Sequence, residues 1–106
     1  MSKEFAKDII KLCRELKGGV EGVLLSQLLR CGTSIGANIY EAQYAQGKKD
    51  FISKFEIALK ECNECDYWLQ LLYETESLAE EKYTAFRKNC INLRRMLVSS
   101  VNTLKK

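Results

Sequence analysis

The stretch Leu28–Gln43, LLRCGTSIGANIYEAQ, decides the fold. Leu28, Cys31, Ile35 and Ile39 recur with helical spacing, yet Gly32 and Gly36 stand one turn apart among Ser34, Ala37 and Asn38. A glycine inside a helix costs about 1 kcal/mol relative to alanine. Two within one turn point to a place where another backbone comes close. The segment therefore reads as a helix-packing motif, with Gly32, Ser34, Gly36 and Asn38 at the contact. It carries no residue combination that would make it a reaction centre.

Working outward, the pattern is helical throughout. Upstream, Phe5, Ile9, Leu12 and Leu16 keep one apolar face over a helix from about Lys3 to Lys17, and Gly18-Gly19 stops it. The motif helix then runs from about Glu21 to Ala45, with Leu24, Leu28, Cys31, Ile35, Asn38/Ile39 and Ala42 on its stripe. Gly47 separates it from a third helix, about Lys48 to Thr75. That helix is striped by Phe51, Phe55, Ala58/Leu59, Cys62, Cys65, Leu69 and Leu72, with Trp68 and Leu71 widening the face. After a polar connection at Glu76–Glu80, a last helix holds heptad spacing through Tyr83, Phe86, Cys90, Leu93, Leu97 and Leu104. It slips only at Val101, where Ser100 takes the heptad position. Four amphipathic helices with short connections predict an all-α, antiparallel up-down-up-down bundle. At 106 residues, 46% of them hydrophobic, residues 1–106 suffice for one domain with a modest core. Prolines are absent, which suits such a chain.

Several function classes fall away on composition. Without histidine there is no Ser-His-Asp or Cys-His arrangement, no Glu-x-x-His di-iron pair and no usual haem ligand. No apolar run approaches the roughly 20 residues needed to span a bilayer, so no membrane is expected. The five cysteines, Cys13, Cys31, Cys62, Cys65 and Cys90, are odd in number and lie inside helical patterns, and no export signal opens the chain. That combination predicts reduced thiols in a cytoplasm. Cys62-x-x-Cys65 lacks the second pair that a zinc site needs, and its mid-helix position does not suit a thioredoxin-type motif. Both cysteines read as small apolar core residues. No cofactor, metal or catalytic residue is expected, and the chain reads as a non-enzyme. A buried Asn38 amide must be hydrogen-bonded, either to fix helix register or to recognise a ligand.

Charge is unevenly spread. Residues 1–47 carry six basic and five acidic side chains, residues 48–78 four and seven, and residues 79–106 seven and two. In the last helix Arg87 and Arg94 share a face, Lys88 and Arg95 repeat the spacing beside them, and Lys105 and Lys106 follow. Lys48 and Lys49 open the third helix. Guanidinium forks suit phosphate oxygens, so these groups are candidates to contact RNA or DNA. The alternative is a solvated face paired locally with carboxylates.

The residues RCGTSIGANIYEAQ, then GKKDFISKFEIALKE and the Tyr67-Trp68-Leu69 segment, resemble the four-helix-bundle family encoded in intervening sequences of 23S ribosomal RNA genes. The match runs from about Leu28 to Leu72 and is most specific at Gly32–Ile39. That family includes the accessory variability determinant of diversity-generating retroelements, beside which this chain is only mildly basic and its first helix short. The resemblance implies a bacterial homo-oligomer, a barrel of five subunits, that associates with RNA or DNA and, in the retroelement branch, with a reverse transcriptase. It implies no catalytic residue. The competing expectation is a structural or protein-interaction scaffold that binds no nucleic acid.

Overall fold

Phe5, Ile9, Leu12 and Cys13 fall on one side of the first helix, α1 (Ser2–Leu16), and all four are buried. The structure is a computed structural model and describes residues 2–105; of the basic residues singled out in the sequence, Lys106 lies outside them. The chain leaves α1 through Gly18, whose φ of +93° suits a residue without Cβ. The N–H groups of Gly19 and Val20 both donate to the Leu16 carbonyl at 3.1 Å, which closes the helix end.

The motif helix, α2, spans Gly22–Ala42 and ends three residues earlier than the sequence pattern suggests. From Gln43 to Ala45 the amides bond three residues back instead of four, tightening the chain out of α-helix before Gly47. Its buried residues also differ at one point. Leu25 is buried and Leu24 only half-buried, because Leu25, Leu28, Gly32, Ile35 and Ala42 continue a single heptad phase that includes the glycine. Gly32 is thus itself a core position.

The third helix, α3 (Lys48–Glu74), buries Phe55, Ala58, Cys62, Cys65, Leu69 and Leu72, with Trp68 and Leu71 half-buried beside them. It ends in a Schellman motif: Ser77 N–H donates to Leu72 O at 2.8 Å and Glu76 N–H to Tyr73 O at 3.0 Å. The left-handed position of that motif, usually glycine, is Glu76 with φ +62°. The fourth helix, α4 (Glu80–Lys105), opens with Glu80 and Glu81 at its positive end and closes with Lys105 at its negative end. Cys90, Leu93, Leu97 and Val101 are its buried residues. The slip to Val101 is therefore accommodated, and Ser100 is half-buried.

The helices pack in chain order, α1 on α2, α2 on α3, α3 on α4, in an up-down bundle 44 × 20 × 19 Å. The short α1 meets α4 at only a few points. There Phe5 and Phe86 pack edge to face at 6.3 Å, and Lys82 reaches Glu15 at 2.6 Å. Small residues sit at two of the helix contacts. A Cβ on Gly32 would lie 2.8 Å from Ile9 Cγ2 and one on Gly36 3.3 Å from the Ser2 carbonyl oxygen, so both glycines face α1. Between α3 and α4, Cys62 Sγ lies 3.2 Å from Cys90 O and Cys90 Sγ 3.3 Å from Cys62 O. No described helix is long and apolar enough to cross a membrane.

Candidate nucleic-acid interface

The core side of α4 is committed to Cys90, Leu93 and Leu97, which turns its basic residues outward. The structure divides them into two groups. Arg87 is exposed but pairs with Asp66 of α3 at 3.3 Å, and the ends of the helix are likewise tied, Lys82 to Glu15 and Lys105 to Glu56. Lys88, Arg94 and Arg95 are exposed and, among the described residues, make no ion pair. Arg94 and Arg95 border a shallow groove of about 510 Å³ that continues along Val98, Ser99, Asn102 and Thr103. Its polar rim offers two guanidinium forks, two hydroxyls and an amide, a donor set that suits phosphate oxygens.

Lys48 and Lys49 are exposed at the start of α3. Because α3 and α4 run antiparallel, with Lys105 on Glu56 at 3.0 Å, these lysines lie toward the C-terminal end of α4. Arg95 is ten residues from Lys105, about 15 Å of helix. The six candidate cations are therefore spread along α3 and α4 and do not converge on one point.

The packing motif does what its glycines suggest, but its polar residues act locally. Asn38 is half-buried, and its Nδ2 donates to Ser34 O at 2.9 Å and Ser34 Oγ at 3.1 Å, inside its own helix. The five thiols are all buried and unpaired by disulfides. Burial and hydrogen bonds to neighbouring sulfurs push Cys62 and Cys65 up, so both stay protonated. Among the described residues no group of three His, Cys, Asp or Glu side chains is placed to hold a metal ion.

A second surface lies away from the basic helix. The outward side of α2 and the turn after it present Val23, Ser26, Leu29, Ala37, Tyr40 and Tyr44, with Val23, Tyr40 and Tyr44 exposed by 75%, 62% and 70%. Its two charged residues are drawn sideways to α3: Arg30 to Glu61 at 2.9 Å and to Glu64, and Glu41 to Lys54 at 3.6 Å. A helix face of this length without a free charge is unusual for solvent. The signal was present in the i, i+4 spacing of Tyr40 and Tyr44, one-half turn from the core stripe.

The geometry defines a helical bundle with one partly neutralised basic helix and one uncharged helix face. The chain belongs to the 23S rRNA-intervening sequence protein family, whose model matches residues 1–99. Among solved structures it is similar to a protein of unknown function from the S23 ribosomal protein family of Bacteroides thetaiotaomicron, at 46% identity and a TM-score of 0.92, covering 94% of each chain. A comparison with curated proteins finds no match.

Proposed function

We propose that this protein is a non-catalytic, self-assembling bundle that holds RNA or DNA through the outer side of α4. The observation that carries the reading is the trio Lys88, Arg94 and Arg95, exposed on one helix with no carboxylate to satisfy them. The link of the family name to 23S rRNA supports the same reading. A single bundle offers few phosphate contacts. Assembly through the uncharged face of α2, in a ring of about five as the family resemblance suggests, repeats the trio at high effective concentration.

The test is retention of RNA and DNA as salt is raised. Binding is expected to be largely indifferent to sequence and to fall by about 0.9 log units per neutralised phosphate per log unit of salt on duplex DNA. Replacing Arg94 and Arg95 with Ala should flatten that slope while helicity and assembly persist. An oligomer that retains neither RNA nor DNA at about 50 mM salt refutes the reading. A second reading, a protein-interaction scaffold, is favoured by the neutralisation of Lys82, Arg87 and Lys105 by carboxylates. It predicts assembly with no retention.

A further inference from the structure

We infer that Cys62 and Cys90 form a disulfide-forming pair, a modification site that peroxide-class oxidants close to fasten α4 onto α3. The two sulfurs face each other across the helix contact at 3.5 Å, and each also touches the other residue's carbonyl oxygen. A disulfide needs the sulfurs at about 2.05 Å, so a shift of about 1.5 Å suffices, shared by two side chains already aimed at one another.

Cys90 is the sulfur that reacts first. Interaction with the neighbouring thiols pulls its pKa down, whereas Cys62 and Cys65 are held protonated. The thiolate is the nucleophile. Cys90 sulfur attacks one peroxide oxygen, the O–O bond breaks, and the displaced hydroxide takes a proton and leaves as water, giving a sulfenic acid. Cys62 sulfur then attacks that sulfur. The S–S bond forms, the S–O bond breaks, and the hydroxyl departs with the Cys62 proton as a second water. Two thiols are oxidised by two electrons and one hydrogen peroxide is reduced.

Both residues are buried, so peroxide arrives when α4 opens. That helix packs along α3, meets α1 at a few points and does not contact α2, so a single long contact holds it to the bundle. It is also the helix that carries the unpaired basic trio. The bridge would close a 28-residue separation between two of the four helices and remove the opening that admits the oxidant.

The experiment treats the folded, fully reduced protein with hydrogen peroxide and then alkylates the remaining thiols. The expected product lacks two hydrogens and takes up three alkyl groups of the five that the free cysteines would take. Cleavage after glutamate separates Cys62 from Cys65 at Glu64, and the linked fragment should contain Cys62 and Cys90. Its thermal midpoint should rise by roughly 5–15 °C and return on reduction. Cys65→Ala should still lose two hydrogens, while Cys62→Ala should not. A bridge from Cys65 to Cys90, overoxidation of Cys90 without a bridge, or no mass change in the folded protein would each overturn the inference.

Discussion

Replacing Gly32 with alanine isolates the close approach that organises the bundle. In an open helix the change would stabilise by about 1 kcal/mol. Here the new methyl would sit 2.8 Å from Ile9 Cγ2, 2.9 Å from Cγ1 and 3.2 Å from Cβ. Ile9 is fully buried and β-branched, so it has no free rotamer to retreat into. Overpacking of this kind costs roughly 1–3 kcal/mol, enough to cancel the propensity gain and leave Gly32→Ala destabilised by up to about 2 kcal/mol. Gly36→Ala is the internal control. Its methyl would meet the Ser2 carbonyl oxygen at 3.3 Å, at the start of α1 where the chain can give by a few tenths of an ångström. That variant should be neutral or slightly stabilised. The cause can be checked by a double-mutant cycle in urea. Ile9→Ala removes both offending γ carbons and should show favourable coupling of more than about 0.5 kcal/mol with Gly32→Ala. Ile9→Val keeps them and should show little. A Gly32→Ala protein more stable than the parent by about 1 kcal/mol, the full propensity gain, would refute the close-approach argument.

The remaining predictions concern the α3 end, the thiols and assembly. Glu76 holds a left-handed backbone at φ +62° in the Schellman motif, so Glu76→Gly should raise stability by about 0.5–1 kcal/mol, read as a higher urea midpoint at unchanged slope. Cys62 and Cys65 have raised pKa values in the fold, so above about pH 9 the unfolded chain loses these protons while the folded one keeps them. Stability should then fall with rising pH by up to about 1.4 kcal/mol per unit for each thiol, and Cys62→Ala should lessen that slope in alkaline urea titrations. Light scattering at micromolar concentration should return a multiple of the 12.2 kDa chain mass, and Tyr44→Glu, in the turn that extends the exposed face of α2, should reduce it without loss of helicity. A monomeric parent protein would dispose of the assembly reading.

The architecture was legible because its strongest signals are local. Heptad spacing in α3 and α4 names Cys62, Cys65, Leu69, Cys90, Leu93 and Leu97, and all are buried. The glycine pair announced a close approach but could not say to what; only tertiary placement shows α1 as the partner. Where the reading slipped, two effects competed on one helix. Helix α2 packs against both α1 and α3, so two overlapping stripes coexist, and a single stripe through Leu24 and Cys31 misses the phase that runs through Leu25 and Gly32. The end of α2 slipped for another reason: a tightened turn at Gln43–Ala45 has no sequence signature distinct from helix.

The candidate site was harder to read because charge is a pairwise property. Sequence spacing placed Arg87 and Arg94 on one face as equivalents, yet Asp66, twenty-one residues away, neutralises the first and leaves the second free. The acidic excess of residues 48–78 and the basic excess of the last quarter belong to helices that pack side by side. Some of these opposite charges meet as ion pairs across α3 and α4, Arg87 with Asp66 and Lys105 with Glu56, contacts worth little individually at an exposed surface. What remains for a polyanion is the residue of that pairing: Lys88, Arg94, Arg95, and the lysines at the start of α3. Three or so phosphate contacts on one bundle bind weakly and lose hold in salt, whereas the same contacts repeated around an assembly do not need to be individually strong. On this argument the uncharged face of α2 and the basic side of α4 stand or fall together. Substitutions that dissociate the assembly through Tyr44 should abolish nucleic-acid retention even with every arginine in place.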